Sequence, residues 1–208
     1  PTVTAGRNPG LVLGAIIGEA TLRGRDKLTI LTDPELASLG SWMEQLIAES
    51  SGKQGKGIIP VDIEPQTPAD QYGKDRLFVY INSSNTQAEF VAALKEAGQP
   101  VLDIQMTDTA NLGAEFYRWE FATAVACAIL GVNAFDQPDV QDNKTRTKNK
   151  TAEFKQNKAF DEGQPLWENE AGKIFGDKIP HLDDAWSLSD VVEIFLKQAK
   201  TGDYVAIN

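Results

Sequence analysis

The chain has 208 residues, 41% of them hydrophobic and 24% charged, with a formal net charge of −10. That length supports one substantial domain with its own apolar core, and a mean hydropathy of −0.31 places the composition among globular proteins. The acidic balance argues against a dedicated nucleic-acid surface, which needs a basic face, but it is compatible with a small phosphorylated ligand held by a few local donors.

Residues 1–7 carry no structural signal. Asn8 and Pro9 read as the N-cap and first residue of a helix through about Leu22, whose surface is thinned by Gly14, Gly18 and Ala20. Lys27 to Thr32 reads as a short buried strand. Asp33-Pro34 then starts a second helix, with Leu36, Leu39, Trp42, Met43, Leu46 and Ile47 at helical spacing. Gly57 to Ile63 is a candidate strand, Glu64 to Gly73 a proline-containing loop, and Arg76 to Asn82 a clear strand. Thr86 to Ala97 forms a helix ended by Gly98, Val101 to Met106 a strand, and Asn111 to Leu130 a long helix closed by Gly131. Strands alternating with helices predict a layered parallel α/β domain, with ligands bound where loops gather at the carboxyl ends of the strands.

Residues 145–185 differ in character. They are polar, with a basic run of Lys144, Arg146, Lys148, Lys150, Lys155 and Lys158 that reads as a solvated helix face, followed by an irregular excursion. A last amphipathic helix runs from Trp186 or Ser187 to Lys200, and Asp203 to Ile207 looks like a strand cut short. The single cysteine, Cys127, sits in an apolar helix and reads as a small core residue; with no second cysteine an internal disulfide is excluded. The absence of a leader pattern and of a membrane-length apolar run predicts a cytoplasmic protein with no membrane partner. One histidine, one cysteine and scattered carboxylates give no metal-ligand spacing, so no metal and no cofactor are expected.

The most informative stretch is Glu44 to Gly57, in which an apolar helix ends at an acid and passes into a Gly/Lys loop. Glu49 beside Lys53 and Lys56 offers a base and fixed positive charge, which is what proton abstraction next to a carbonyl requires. The same residues also describe an ordinary helix C-terminus, with Gly52 as cap and Lys53 answering the helix dipole.

This stretch resembles the E-Q-L-x-x-E-S-x-G-K-x-x-K-G signature of glucose-6-phosphate isomerases, which are built from two sugar-isomerase (SIS) domains. Gly131 to Lys144 is similar to the G-x-N-P-F-D-Q-P-x-V-x-x-x-K block near the end of the same enzymes. The intervening runs Tyr72 to Tyr80 and Leu112 to Glu120 look most like a branch fused behind a transaldolase. The resemblance covers about residues 8 to 145 and, more weakly, 186 to 208. It implies a SIS-type fold, with 1–145 as domain core, 146–185 as a polar insertion and 186–208 as the truncated end of the same domain.

By the same resemblance Glu49 is the catalytic base and Lys144 assists at the ring oxygen. Gln137 binds substrate, with Ser50, Ser51, Gly52 and Lys53 as further substrate-binding candidates. If Pro138 opens a helix, the seven-residue step from Gln137 to Lys144 places both on one face. The bland counterpart is a Gln cap and a surface Lys. The implied reaction interconverts glucose 6-phosphate and fructose 6-phosphate through an enediol(ate). Two features depart from the family: its ring-opening histidine is not matched near residues 68–72, and His181 lies outside any matching motif, as a loop residue. The family's Ser/Thr-rich phosphate loop belongs to the first SIS domain and is not found. The expectation is therefore an isomerase portion that is weak or inactive alone and is partnered by a sugar phosphate and the remaining domains of a parent enzyme, an oligomer being compatible with this. The competing expectation is a non-catalytic SIS module that binds a sugar phosphate.

Overall fold

The computed structural model describes residues 4–160, 162–203 and 205. By packing, the chain divides into two units, Pro1–Asp142 and Asn143–Asn208. In the first unit, α1 (Pro9–Leu22) opens as its sequence dictates: the Asn8 side chain accepts from the Leu11 N–H at 3.1 Å, and Pro9 takes a position where no amide donor is needed. It is followed by β1 (Lys27–Thr32), α2 (Ala37–Ser51), β2 (Ile59–Val61), β3 (Arg76–Asn82), α3 (Ala88–Glu96), β4 (Val101–Gln105) and α4 (Leu112–Leu130).

The four strands form one parallel sheet in the order β2-β1-β3-β4, with Leu28 opposite Leu77 and Val79 opposite Leu102. This is the layered α/β class that the alternation predicts, consistent with a SIS-type Rossmann-like domain. β1 and β3 are buried on both faces, as parallel strands flanked by helices must be. Leu28 and Ile30 of β1 join Leu77, Val79 and Ile81 of β3 in the larger core, which they share with Leu13 and Ile17 of α1, Met43 and Ile47 of α2, and Trp119 and Cys127 of α4. The opposite face, through Leu31, Phe78 and Tyr80, packs on Val91 and Leu94 of α3. Cys127 is fully buried, as a core residue.

Two local details shape the site. Pro34–Leu36 forms a 3-10 turn, so α2 begins at Ala37 rather than at Asp33-Pro34: Asp33 is extended and its side chain caps no part of this turn. At the far end of α4, Gly131 adopts φ +70, the left-handed conformation that closes a helix and that an L side chain resists.

The second unit contains most of α5 (Pro138–Asn157), an antiparallel pair of short strands, β5 (Trp167–Asn169) with β6 (Gly172–Ile174), and α6 (Leu188–Leu196). The hairpin stands where an irregular excursion is expected. α6 begins with a reciprocal capping box: Ser187 accepts from the Asp190 N–H at 3.2 Å and Asp190 accepts from the Ser187 N–H at 2.8 Å. The expected strand at 203–207 falls largely outside the described residues. Among the described residues no helix is long and apolar enough to cross a membrane.

Candidate functional site

The chain runs from β1 outward to β2, then returns across the sheet to β3. The strand order therefore reverses beside β1, and the carboxyl ends of β1 and β3 mark the crevice where sheets of this kind bind ligands. That crevice is filled from within. Asp33, fully buried just after β1, accepts at Oδ2 from the N–H groups of Ser83 (2.8 Å), Ser84 (2.7 Å) and Asn85 (2.9 Å). At Oδ1 it accepts from the Thr86 N–H (3.1 Å), the Thr86 hydroxyl (2.6 Å) and the Tyr80 hydroxyl (2.6 Å). Burial pushes this carboxyl up, but the hydrogen bonds from Thr86, Tyr80, Ser84 and Ser83 outweigh it and hold the group far below the usual carboxylate range. The turn at 83–86 is rich in hydroxyls and bare amides, yet these donors are already engaged by the chain's own carboxylates, the Ser83 hydroxyl by Glu35 and the others by Asp33.

The open cleft lies elsewhere, at the C-terminal end of α2. Trp42, Gln45, Leu46, Glu49, Ser50, Ala134 and Gln137 line a space of about 330 Å³. Glu49 and Gln137, from the two motif runs, thus meet at one site. Glu49 is exposed in the last turn of α2, and Gln45, one turn earlier, points its amide at the Glu49 carboxylate at 3.5 Å. Trp42 walls the cleft and is steadied by Phe116, whose ring meets it edge-on at 4.6 Å. Gln137 stands just before α5, its carbonyl accepting the first helical bond from the Gln141 N–H at 3.1 Å. Sequence reasoning assigns no site role to Gln45 or Trp42; their i, i+4 and i, i+7 spacing to Glu49 is the signal that could have found them.

The other candidates are placed differently. Ser50 lines the cleft. Ser51 is fully buried, its hydroxyl donating to the Ile47 carbonyl at 2.7 Å and accepting from the Ile58 N–H at 3.0 Å, so this side chain ties α2 to the approach to β2. Gly52 is the C-cap of α2, as its position suggests, with φ −73 and its N–H donating to the Ala48 carbonyl at 3.0 Å.

Lys53 answers no dipole of α2. Its ammonium, 5% exposed, donates to the carbonyls of Asn133 (2.6 Å) and Asp136 and pairs with the Asp136 carboxylate at 3.0 Å. Lys56 donates to the Leu130 carbonyl at 2.8 Å, at the end of α4. Lys144 lies exposed on α5, in the second unit. His181 is exposed at φ +62, with Nδ1 3.7 Å from Asp184. A larger groove of about 560 Å³ in the second unit includes His181, Trp186, Asp190 and Glu193. Its polar groups are spent locally, Asp190 in the capping box and Glu193 on Lys197 at 2.7 Å, and it holds neither motif run. Among the described residues no group of three or more His, Cys, Asp or Glu is placed to hold a metal ion.

The fold is shared with a solved structure of a hypothetical protein from Thermus thermophilus, at a TM-score of 0.56 and 21% identity over 69% of this chain and 45% of that one. No family model matches the chain. Among curated proteins, the glucose-6-phosphate isomerase of Leptospira biflexa serovar Patoc is 30% identical over 152 residues, covering 54% of this chain and 34% of that protein. Those of Leptospira interrogans (28%, covering 65% and 40%) and Heliobacterium modesticaldum (26%, covering 66% and 41%) match over longer stretches. The chain is a distant relative of glucose-6-phosphate isomerases and spans between a third and about two fifths of their length.

Proposed function

We propose that the chain is one portion of an aldose–ketose isomerase that interconverts glucose 6-phosphate and fructose 6-phosphate, with Glu49 as the proton carrier. The observation that carries this reading is the convergence of Glu49 and Gln137 on one cleft in a relative of these enzymes. Glu49 removes the proton from C2 of the open-chain aldose, leaving an enediolate, and returns it to C1 on the same face while the hydroxyl proton passes from O2 to O1, which gives the ketose; nothing is consumed. Gln45 holds the carboxylate from one turn away, and Gln137 supplies an amide to the sugar hydroxyls from the opposite wall. Lys144 is the ring-opening candidate by resemblance. With the amides at 83–86 turned on Asp33, the phosphate is held by groups contributed from the remainder of the polypeptide. In this reading the segment is a second SIS domain of a parent related to the transaldolase-fused branch, and the 208 residues alone turn over weakly or not at all.

The exposure of Glu49 favours a second reading, a module that binds a sugar phosphate without converting it, since an acid left in water is a less effective base than one desolvated around its substrate. Glu49→Gln separates the two in the full-length polypeptide. Under the first reading the coupled assay loses at least ~100-fold in turnover while sugar phosphate still binds. Unchanged turnover would reject Glu49 as the base.

A further inference from the structure

The charged turn after α2 invites a ligand-binding reading for Lys53, but donor arithmetic favours a structural role. An ammonium has three N–H donors and no acceptor. Those of Lys53 face three acceptors, the carbonyl oxygens of Asn133 and Asp136 and the Asp136 carboxylate, all on the loop that carries Ala134 and Gln137 into the cleft. The backbone of Lys53 is fixed as well, exchanging N–H and carbonyl with Lys56 at 3.1 and 3.0 Å, while the Lys56 ammonium holds the Leu130 carbonyl. One wall of the cleft is thus buttoned to the other by a buried cation four residues beyond Glu49.

We propose that Lys53 is a positioning residue that sets the separation of Glu49 and Gln137 and makes no contact with the ligand. Its catalytic consequence rests on the isomerase reading above, whereas the clamp stands on geometry alone. Without the ammonium, two carbonyls and a half-exposed carboxylate lose their shared donor, so the segment at 133–137 loosens and the near-attack geometry between the two walls is lost.

The test uses Lys53→Met, with Lys56→Met as the comparator that removes a charge from the same turn without touching that segment. In this chain, backbone amide order parameters at 133–137 fall below about 0.6 in Lys53→Met and hold near their wild-type values in Lys56→Met. If Lys53→Met does not fold, Asp136→Ala removes one of the three acceptors and produces a smaller fall at the same positions. Unchanged order parameters in the variant that folds overturn the clamp. In the full-length polypeptide, Lys53→Met lowers kcat roughly 10- to 100-fold with KM for the sugar phosphate changed less than about threefold. A raised KM with kcat retained would make Lys53 a ligand contact and overturn the proposal. Wild-type turnover in Glu49→Gln sinks the isomerase reading alone, and the order parameters then decide the clamp by themselves.

Discussion

The Tyr80 hydroxyl donates to the Asp33 carboxylate at 2.6 Å, joining the carboxyl ends of the two neighbouring strands β1 and β3. Both groups are almost wholly buried, and each answers the other: the carboxylate takes the phenolic proton's hydrogen bond, and burial with that bond pushes the Tyr80 hydroxyl up to about 12. The pair anchors the 83–86 turn, because the Tyr80 oxygen also accepts the Gln87 N–H at 3.3 Å.

This pair predicts loss of stability at both ends of the pH range. Asp33 is depressed in the folded state, so its contribution is full above the unfolded carboxylate value near pH 4 and declines as pH falls below it. Tyr80 is raised, so its contribution is full below the unfolded phenol value near pH 10 and is lost as pH rises to about 12. Denaturant titrations at pH 3, 7 and 11 should show the maximum in the middle. Tyr80→Phe should cost about 1.5–3 kcal/mol at pH 7 and flatten the alkaline decline. An alkaline limb identical to wild type would show that Tyr80 does not carry it.

A second prediction concerns the contact of α1 with α4. A Cβ on Gly14 would stand 2.3 Å from the Ala122 carbonyl oxygen and 2.7 Å from Val125 Cβ, so Gly14→Ala forces the helices apart and should destabilise by about 1–3 kcal/mol. At Gly113, in the first turn of α4, the same atom meets open space, and Gly113→Ala should stabilise by up to ~1 kcal/mol. Midpoints of chemical denaturation for the two variants should move in opposite directions; a fall at both would remove the packing explanation.

Asn8, Pro9 and Gly131 announce helix ends because capping is settled within a few residues, and the largely apolar runs of β1 and β3 announce strands because burial on both faces leaves few polar positions, Thr29 and Asn82 among them. The hairpin of β5 and β6 is not legible: three-residue strands with Glu168 and Lys173 opposite each other give no alternation to detect. Lys53 is legible as a charge, but the destination of its three donors lies on a loop far along the chain. Likewise the hydroxyls of Ser84 and Thr86 are visible in sequence, whereas their engagement by Asp33 depends on the pairing of β1 with β3.

The amino-terminal end of β3, an interior strand, offers a third test. Arg76 grips Glu64 through two bonds of 2.7 and 2.8 Å and also donates to the Thr29 hydroxyl at 2.8 Å, while its carbonyl accepts from Arg25 at 2.9 Å. Both partners of this fork are largely shielded from water, so it should outrank the exposed pair of Arg23 and Glu19. Glu64→Gln is expected to cost about 1–2 kcal/mol, with part of it screened in high salt, and Glu19→Gln under ~0.5 kcal/mol. Equal effects in paired denaturation curves would contradict the ranking.

Cys127 supplies a probe of the candidate site. Burial pushes its thiol up, with Lys53 pulling weakly the other way, and Sγ lies 3.5 Å from the Ser50 carbonyl, next in sequence to Glu49. The folded chain should therefore react with a water-soluble disulfide reagent at pH 8 at least ~100-fold more slowly than the urea-unfolded chain, because the thiolate is both scarce and shielded. The labelling rate then follows opening of the packed end of α2 against α4. Lys53→Met removes a cation that favours the thiolate, yet it loosens the neighbouring segment. Faster labelling in that variant would mean that the clamp also restrains α2, whereas slower labelling would mean that only the charge mattered at Cys127.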